Sequence, residues 1–219
     1  MTWFPLITIR LRRFPRDDSG TTLVEFAFVI SLFLLIFFGL IDFGRMMFHF
    51  VNAERAMHVA ARVAVVRPAA CFGVPDSNLR GAVPFGTTPP RFGTLCSAGA
   101  TVCVNPGTLS CDGNLLSETA TEIWNIVQGT LPNDATITNL RFTYSLDSEF
   151  KFRLGFLGGP YIPVVTVELQ NLDFKFVSPL AALVALSGGV APAGLGANIP
   201  FPSMSTSLPG EDLAMGTEG

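Results

Sequence analysis

Histidine is scarce in this sequence, and the short motifs of the commonest enzyme mechanisms are missing. The chain has two histidines, His49 and His58, so the residues beyond position 58 cannot supply a Ser-His-Asp or Cys-His catalytic set or a His-ligated zinc site. A Gly-rich phosphate loop, a G-x-S-x-G motif and internal repeats are also absent. We expect no enzymatic activity, no metal and no cofactor, and an exported hydrolase is the least favoured function.

Charged residues are few, and the basic ones do not dominate. The chain carries 14 Lys and Arg residues against 17 Asp and Glu residues. Removing residues 1–20 would take away four basic and two acidic residues and leave a net charge near −5. This balance argues against a nucleic-acid partner, because such binding rests largely on contacts from Lys and Arg to phosphates. The four basic residues within 1–20 are Arg10, Arg12, Arg13 and Arg16.

The longest apolar run covers residues 23–41, where Glu25 is the one charged residue. As a helix this run would reach roughly 28 Å, enough to cross the ~30 Å hydrocarbon core of a bilayer. A secretory signal has a shorter apolar core that ends at a cleavage site, whereas this run continues into helix-compatible sequence. Because arginines crowd its N-terminal flank, the positive-inside rule places residues 1–20 in the cytoplasm and the residues after about 45 outside.

Residues 20–26, Gly-Thr-Thr-Leu-Val-Glu-Phe, lie between the basic head and this run and resemble a prepilin-type processing site. If a peptidase cuts after Gly20, the α-amino group of Thr21 becomes a free ammonium. Glu25 is then the fifth residue of the mature chain, about one helical turn along. The ammonium of one subunit could then pair with the Glu25 carboxylate of a neighbour, because a charge pair costs less in lipid than two isolated charges. The competing interpretation is a juxtamembrane carboxylate that reaches the headgroups.

Together these elements resemble the TadE-like family of pseudopilins, small membrane proteins of the bacterial tight-adherence (Flp pilus) machinery. The resemblance covers residues 20–62, roughly a fifth of the chain. It rests on the glycine before the cut, the Val24-Glu25-Phe26 triplet, the apolar run, Asp42-Phe43-Gly44-Arg45 and Ala60-Ala61-Arg62. One position departs from many prepilins, which place Phe or Met after the cut where this chain has Thr21.

The resemblance implies that a prepilin peptidase cuts after Gly20 and that the product is a minor pseudopilin acting in pilus assembly. The implied partners are the prepilin peptidase, other pilins and pseudopilins, the inner-membrane assembly platform and the lipid bilayer. The implied location is the bacterial inner membrane, with a cytoplasmic N-terminus and a periplasmic C-terminal domain, and entry into a surface pilus stays open. The alternative is a single-pass membrane-anchored binding or adhesion protein whose N-terminal motif is coincidental.

The helix is expected to continue beyond the apolar run to about Val66, because Pro68 disfavours helix at the residue before it. In the outer half of this helix, small residues recur at spacings of three and four, which permits close approach of another element. They are Ala53, Ala56, Ala60 and Ala64. Either the chain's own β-rich domain or a neighbouring subunit could cover this stripe.

Residues 68–116 are rich in proline and glycine and hold all four cysteines, so we expect a loop region with sparse regular structure. Outside the cytoplasm an even number of cysteines favours disulfides, and the lack of a Cys-x-x-Cys pair argues against zinc. The candidates are Cys71, Cys96, Cys103 and Cys111. Three pairings are possible and the sequence alone does not choose; our working pairing is Cys71–Cys96 with Cys103–Cys111.

The predicted fold class is α+β and pilin-like: a long N-terminal helix, transmembrane and then amphipathic, followed by a small antiparallel β-rich domain outside the cytoplasm. A short amphipathic helix is expected over residues 115–129, and strands joined as a meander over residues 136–154 and 164–176. Residues 179–186 predict a short surface helix, too short to span a membrane. A mobile loop over 188–200 and an edge strand over 199–208 complete the pattern.

The expected organisation has five segments. They are a basic leader at 1–20, the transmembrane and amphipathic helix at 21–67, the Cys-, Pro- and Gly-rich loop region at 68–116, the β-rich domain at 117–208 and a disordered tail at 209–219.

Overall fold

The protein is described by a computed structural model over residues 19–146, 155–186, 188–192, 196–211 and 213. The chain divides into two units. Unit 1 takes the residues up to 45 together with 175–198, and unit 2 takes 46–174 together with the residues from 199 onwards. The described part contains a long apolar N-terminal helix and an antiparallel sheet domain, which confirms the predicted α+β class.

Helix α1 spans Ser19–Val65, close to the predicted length. It ends shortly before Pro68, as expected from the restriction that proline places on the preceding residue. The segment up to Arg45 belongs to unit 1, and the segment from Met46 belongs to unit 2.

Unit 2 is built on six strands in its described residues. They are β1 (Leu109–Asp112), β2 (Leu140–Ser145), β3 (Val164–Leu169), β4 (Asp173–Phe174), β5 (Ile199–Pro200) and β6 (Met204–Pro209). Four of them form an antiparallel sheet in the order β1-β2-β3-β6. β2 and β3 are the predicted antiparallel strands and β6 is the predicted edge strand, whereas β1 lies in the stretch that was expected to be loop. β4 and β5 pair separately.

One face of the sheet supplies much of the core of unit 2. Side chains alternate between buried and half-buried along β2 and β3, as expected for strands with one covered face. Phe142 pairs in register with Val167, and both are fully buried. Tyr144 is likewise buried, and its hydroxyl accepts a hydrogen bond from the Ala70 backbone N–H at 2.8 Å. The sheet is thereby tied to the chain that follows α1.

Helix α2 (Glu118–Val127) is the predicted short amphipathic helix. The Ser117 side chain caps its N-terminus by accepting a hydrogen bond from the Ala120 backbone N–H, the usual role of serine at this position. Ile123 and Val127 are buried one turn apart, so the helix covers apolar area with one face.

Two predicted strands are shorter than expected. The first begins as a 3-10 turn, Ile137–Asn139, which Thr136 and Asn139 close as a reciprocal capping box. The second ends at Leu169, because Asn171 adopts a φ of 54° and turns the chain. The Asn139 side-chain amide donates to the backbone oxygens of Gln170 and Asn171 and holds this turn. Residues 147–154, where the first strand was predicted to continue, lie outside the described residues.

Unit 1 contains a second helix, α3 (Leu180–Leu186), where a short helix was predicted. Leu180 and Leu183, three residues apart, form its buried face. A disordered tail was predicted from residue 209 onwards, but Pro209 is the last residue of β6. The backbone N–H groups of Gly210 and Glu211 donate to the backbone oxygens of Pro163 and Val65, so residues 209–211 are ordered. Residues 212 and 214–219 lie outside the described part.

Candidate functional site

The predicted processing residues lie together at the N-terminal end of α1. Gly20, Thr21 and Glu25 are all helical and exposed. A Cβ atom added to Gly20 would meet no atom within 4 Å, so packing inside this chain does not explain the glycine. Gly39 and Gly44 share this open environment, so open space alone does not mark a site. Gly20 is set apart by its place between the basic head and the apolar run.

Glu25 lies one turn along α1 from Thr21, a rise of about 6 Å. Among the residues that the structure describes, its carboxylate has no ion-pair partner. A charged side chain inside a membrane is costly unless it is paired or reaches the headgroups. A positively charged group from outside the described residues would therefore stabilise the Glu25 carboxylate if this part of α1 lies in a membrane.

The N-terminal half of α1 presents apolar side chains outward. Its most apolar 18-residue window has a mean hydropathy of 2.7, and none of that window is buried. Among the exposed side chains are Leu23, Phe26, Phe33, Ile36, Phe37 and Leu40. α1 is thus long enough and apolar enough to cross a membrane.

A buried carboxylate ends this apolar surface, and the sequence analysis did not single it out as a site. Asp42 is 1% exposed. It accepts hydrogen bonds from the Val177 and Ser178 backbone N–H groups, at 3.4 and 3.1 Å, and from the Ser178 hydroxyl. Arg45 forms an ion pair with the Asp42 carboxylate at 3.3 Å. These partners offset the cost of burying the charge. The signal in the sequence was an aspartate directly after an apolar run, because such a residue needs a partner.

The alanine stripe is buried within unit 2. Ala53, Ala56, Ala60 and Ala64 are each at most 5% exposed, as expected if the chain itself covers the stripe. Ring contacts from the same helix segment join Phe50 to Phe201 and His49 to Phe174, both with centroids 6.3 Å apart. No group of His, Cys, Asp and Glu residues suited to a metal ion occurs in the described ranges.

The four cysteines form two disulfides, but the working pairing was wrong. Cys71 is bonded to Cys111, and Cys96 to Cys103. Cys111 lies on β1, which pairs with β2, and β2 also carries the Tyr144 hydroxyl that binds the amide of Ala70. That contact brings the neighbouring Cys71 beside the sheet. The second pair closes a local turn that starts with the 3-10 helix Cys96–Ala98.

A cleft of about 270 Å³ lies where the chain leaves α1 and passes α2. Its wall includes a two-hydrogen-bond ion pair between Arg67 and Glu122, with both N–O distances 3.0 Å. Hydrogen bonding to the Glu122 carboxylate raises the pKa of Arg67. Phe72 and Leu116 are exposed at its rim. The hydroxyls of Ser117 and Thr119 also line the cleft; Ser117 caps α2, and Thr119 donates to the Pro68 backbone oxygen at 2.7 Å.

An exposed apolar helix of bilayer-spanning length, followed along the chain by a disulfide-linked α+β domain, is consistent with a single-pass membrane protein. A family model described as TadE-like protein matches residues 20–62, the same stretch that carried the resemblance. The match covers about a fifth of the chain, so the similarity to TadE-like proteins concerns this N-terminal region. No curated protein and no solved structure matches the chain.

Proposed function

We propose that this protein is a minor pseudopilin that acts in assembly of a tight-adherence pilus and has no catalytic activity of its own. The observation that carries the proposal is the TadE-like match over residues 20–62, which includes the exposed apolar part of α1. The proposed partners are a prepilin peptidase, other pilins and pseudopilins, and the inner-membrane assembly platform.

The anchor is the exposed apolar part of α1, held in the bacterial inner membrane. Leaving its phenylalanines and leucines in water would cost roughly 25 cal/mol per Å² of apolar surface, whereas lipid removes that cost. The four arginines before residue 20 favour a cytoplasmic N-terminus and hence a periplasmic unit 2. An oxidising periplasm also agrees with the two disulfides.

Processing takes place after Gly20 in this proposal. The Gly20–Thr21 bond lies inside α1, so a peptidase must draw the backbone out of the helix before it can cut. Glycine has a low helix propensity, which makes local opening at this end of the helix easier. Because glycine has no side chain, it also fits a peptidase site that is too narrow for a larger residue. Cleavage creates the Thr21 ammonium, which Glu25 of a neighbouring subunit can bind.

Co-expression with a prepilin peptidase, followed by intact mass measurement, tests the processing step. We expect a mature chain that begins at Thr21. Gly20→Leu should reduce cleavage by about tenfold or more, because a pocket shaped for no side chain excludes the added carbons. Gly20→Ala should retain partial cleavage. Gly44→Leu is the matched control, since Gly44 also has open space around it in α1, and it should be cleaved like the wild type.

A mature chain that begins at another residue, or a wild-type chain that the peptidase leaves intact, would overturn the pseudopilin proposal. The remaining function would then be that of a membrane-anchored binding or adhesion protein.

A further inference from the structure

Residues 77–104 and 155–161 of unit 2 form a small lobe with a core of its own, called the loop lobe below. The core consists of Cys96, Val102, Cys103 and Leu157, and the Cys96–Cys103 disulfide lies inside it. Two backbone hydrogen bonds of 2.9 Å join the two stretches, from the Gly93 N–H to the Leu157 oxygen and from the Leu157 N–H to the Thr94 oxygen. The surface of the loop lobe is therefore held in place, so a partner would not have to order it on binding.

The outer surface of the loop lobe is apolar and positively charged. Four of its large apolar side chains are more than half exposed: Leu79, Phe85, Phe92 and Leu95. The Arg80 guanidinium lies 5.1 Å from the centre of the Phe92 ring, and Arg91, the residue before Phe92, is exposed. Neither stretch of the lobe contains an Asp or a Glu. Aromatic rings and arginines are enriched in protein–protein interfaces, so this surface has the composition of a docking surface.

The outer face of α2 carries the opposite charge. Three large apolar side chains are exposed there: Leu115, Leu116 and Ile126. Glu118 is exposed between them, and no ion-pair partner for it occurs in the described part of the chain. Arg67 neutralises the neighbouring Glu122, which leaves Glu118 to give the face a net negative charge. Glu118 and Ile126 line a shallow hollow on this face.

The two surfaces complement each other, but they do not cover each other within one chain, because both are exposed. Contact between two copies would remove both apolar surfaces from water, which is favourable in proportion to the area covered. It would also bring a guanidinium to the Glu118 carboxylate, a pairing that can form two parallel hydrogen bonds. A second copy of this chain thus offers each surface the charge that it lacks.

We propose that the loop lobe of one copy docks on the outer α2 face of a second copy. The rings of Phe85 and Phe92 cover the hollow on α2, and the arginines of the lobe pair with Glu118. Because the two surfaces differ, the contact is head-to-tail, and a row of copies keeps one surface of each kind free at its ends. The inference goes beyond the proposed function by naming a second copy as the partner of unit 2, and it does not depend on cleavage after Gly20.

Photo-crosslinking in membranes tests the contact. The full chain is expressed with p-benzoylphenylalanine in place of Phe92, and membranes of the expressing cells are irradiated. We expect a covalent dimer in which the peptide that carries the probe is joined to the peptide that contains residues 115–126. The same probe at Asn133, an exposed position of unit 2 outside the residues of both surfaces, is the control and should give several-fold less dimer.

A dimer yield no higher than that of the control, a dimer joined through other residues, or a crosslink to a different protein would each overturn the contact. The N-terminus of the same samples is measured by mass. Failure of the contact is therefore distinguishable from failure of processing and of the proposed function.

Charge reversal separates a specific contact from crowding in the membrane. Arg80→Glu with Arg91→Glu should lower the dimer yield from a probe at Phe85 by several-fold, because like charges then face Glu118. Adding Glu118→Arg should restore the yield, since the two signs are then exchanged. Arg55→Glu, at an exposed position on α1, is the matched control and should leave the yield unchanged.

An unchanged yield in the variant with both arginines reversed, or no restoration by Glu118→Arg, would refute the pairing of these two surfaces. Peptide mapping without reductant should find both native disulfides in every variant, which shows that unit 2 has folded.

Discussion

Glu25 would be energetically costly in a membrane, and its role can be tested by a single substitution. In lipid an unpaired carboxylate is expensive, and the described residues offer it no ion-pair partner. In the proposed function the compensating ammonium exists only after cleavage at Gly20. Glu25 should then be needed for assembly but not for processing.

We predict that Glu25→Gln is cleaved at the wild-type rate but fails to support pili. The substitution keeps the size of the side chain and removes its charge, which leaves the Thr21 ammonium without its partner at a cost of about 1–3 kcal/mol. Mass measurement of the N-terminus and counting of surface pili would report the two steps separately. Glu54→Gln, an exposed glutamate further along α1, is the control. Wild-type piliation in Glu25→Gln cells would show that Glu25 is only a carboxylate reaching the headgroups.

Tyr144 links the sheet to the chain after α1 and makes the fold sensitive to alkali. Burial raises the pKa of Tyr144 to about 12, from about 10 in an unfolded chain. The folded state therefore retains this proton to higher pH than the unfolded state does. Its contribution to stability is complete below pH 10 and is lost as the pH rises to about 12.

Two changes should follow in Tyr144→Phe. At neutral pH the Ala70 N–H loses its acceptor, which should destabilise the fold by about 1–3 kcal/mol. Between pH 10 and about 12 the variant should lose less stability than the wild type, by roughly 1.4 kcal/mol per pH unit at most. Urea unfolding across this range measures both effects. Burial also raises the pKa of Tyr161, but that group is common to both proteins and cancels in the comparison. Parallel pH profiles would contradict the role of Tyr144.

At the scale of elements, the two disulfides differ in what they join. The bond between Cys71 and Cys111 closes a separation of 40 residues and connects the exit of α1 to β1. The bond between Cys96 and Cys103 closes a separation of 7 residues within the loop region. Longer closures restrict the unfolded chain more, so their stabilising effects should be unequal.

We predict that Cys71→Ser with Cys111→Ser costs about 4 kcal/mol of unfolding free energy, against about 2 kcal/mol for Cys96→Ser with Cys103→Ser. Denaturant unfolding of the two double variants measures the difference. Peptide mapping without reductant should find the 71–111 and 96–103 linkages in the wild type. A Cys71–Cys96 peptide, or equal losses in the two variants, would contradict this account.

The same elements show which features a single sequence can predict. α1 was predictable because its apolar run and Pro68 act locally. The disulfide pairing was not, because it depends on the register of β1 with β2 and on the contact between Ala70 and Tyr144. The early end of β3 also depends on a distant residue, since the Asn139 side chain holds the turn at Asn171. Sequence periodicity carries no information about such partners.

Across the whole molecule, the α+β class and the N-terminal motif were both predictable from the sequence, because a long apolar helix and alternating strands have distinct local periods. The Asp42 cluster was not predictable, because Ser178 lies 136 positions away in the chain. Residues 68–116 were expected to have sparse regular structure, yet they supply β1, an edge strand of the four-stranded sheet. A four-residue strand that pairs on one side only has too weak a pattern to stand out in a proline-rich region.

The position of β6 in the chain has a consequence for export. β6 pairs along the whole of β3, and the residues just after it bind the backbone of Pro163 and Val65. About 35 residues separate the end of β3 from the start of β6. In the proposed topology, with unit 2 in the periplasm, β3 would emerge with one edge open and would stay so until that later stretch has crossed. An open edge invites pairing with another chain, so this is the interval in which a periplasmic chaperone would protect the nascent domain most.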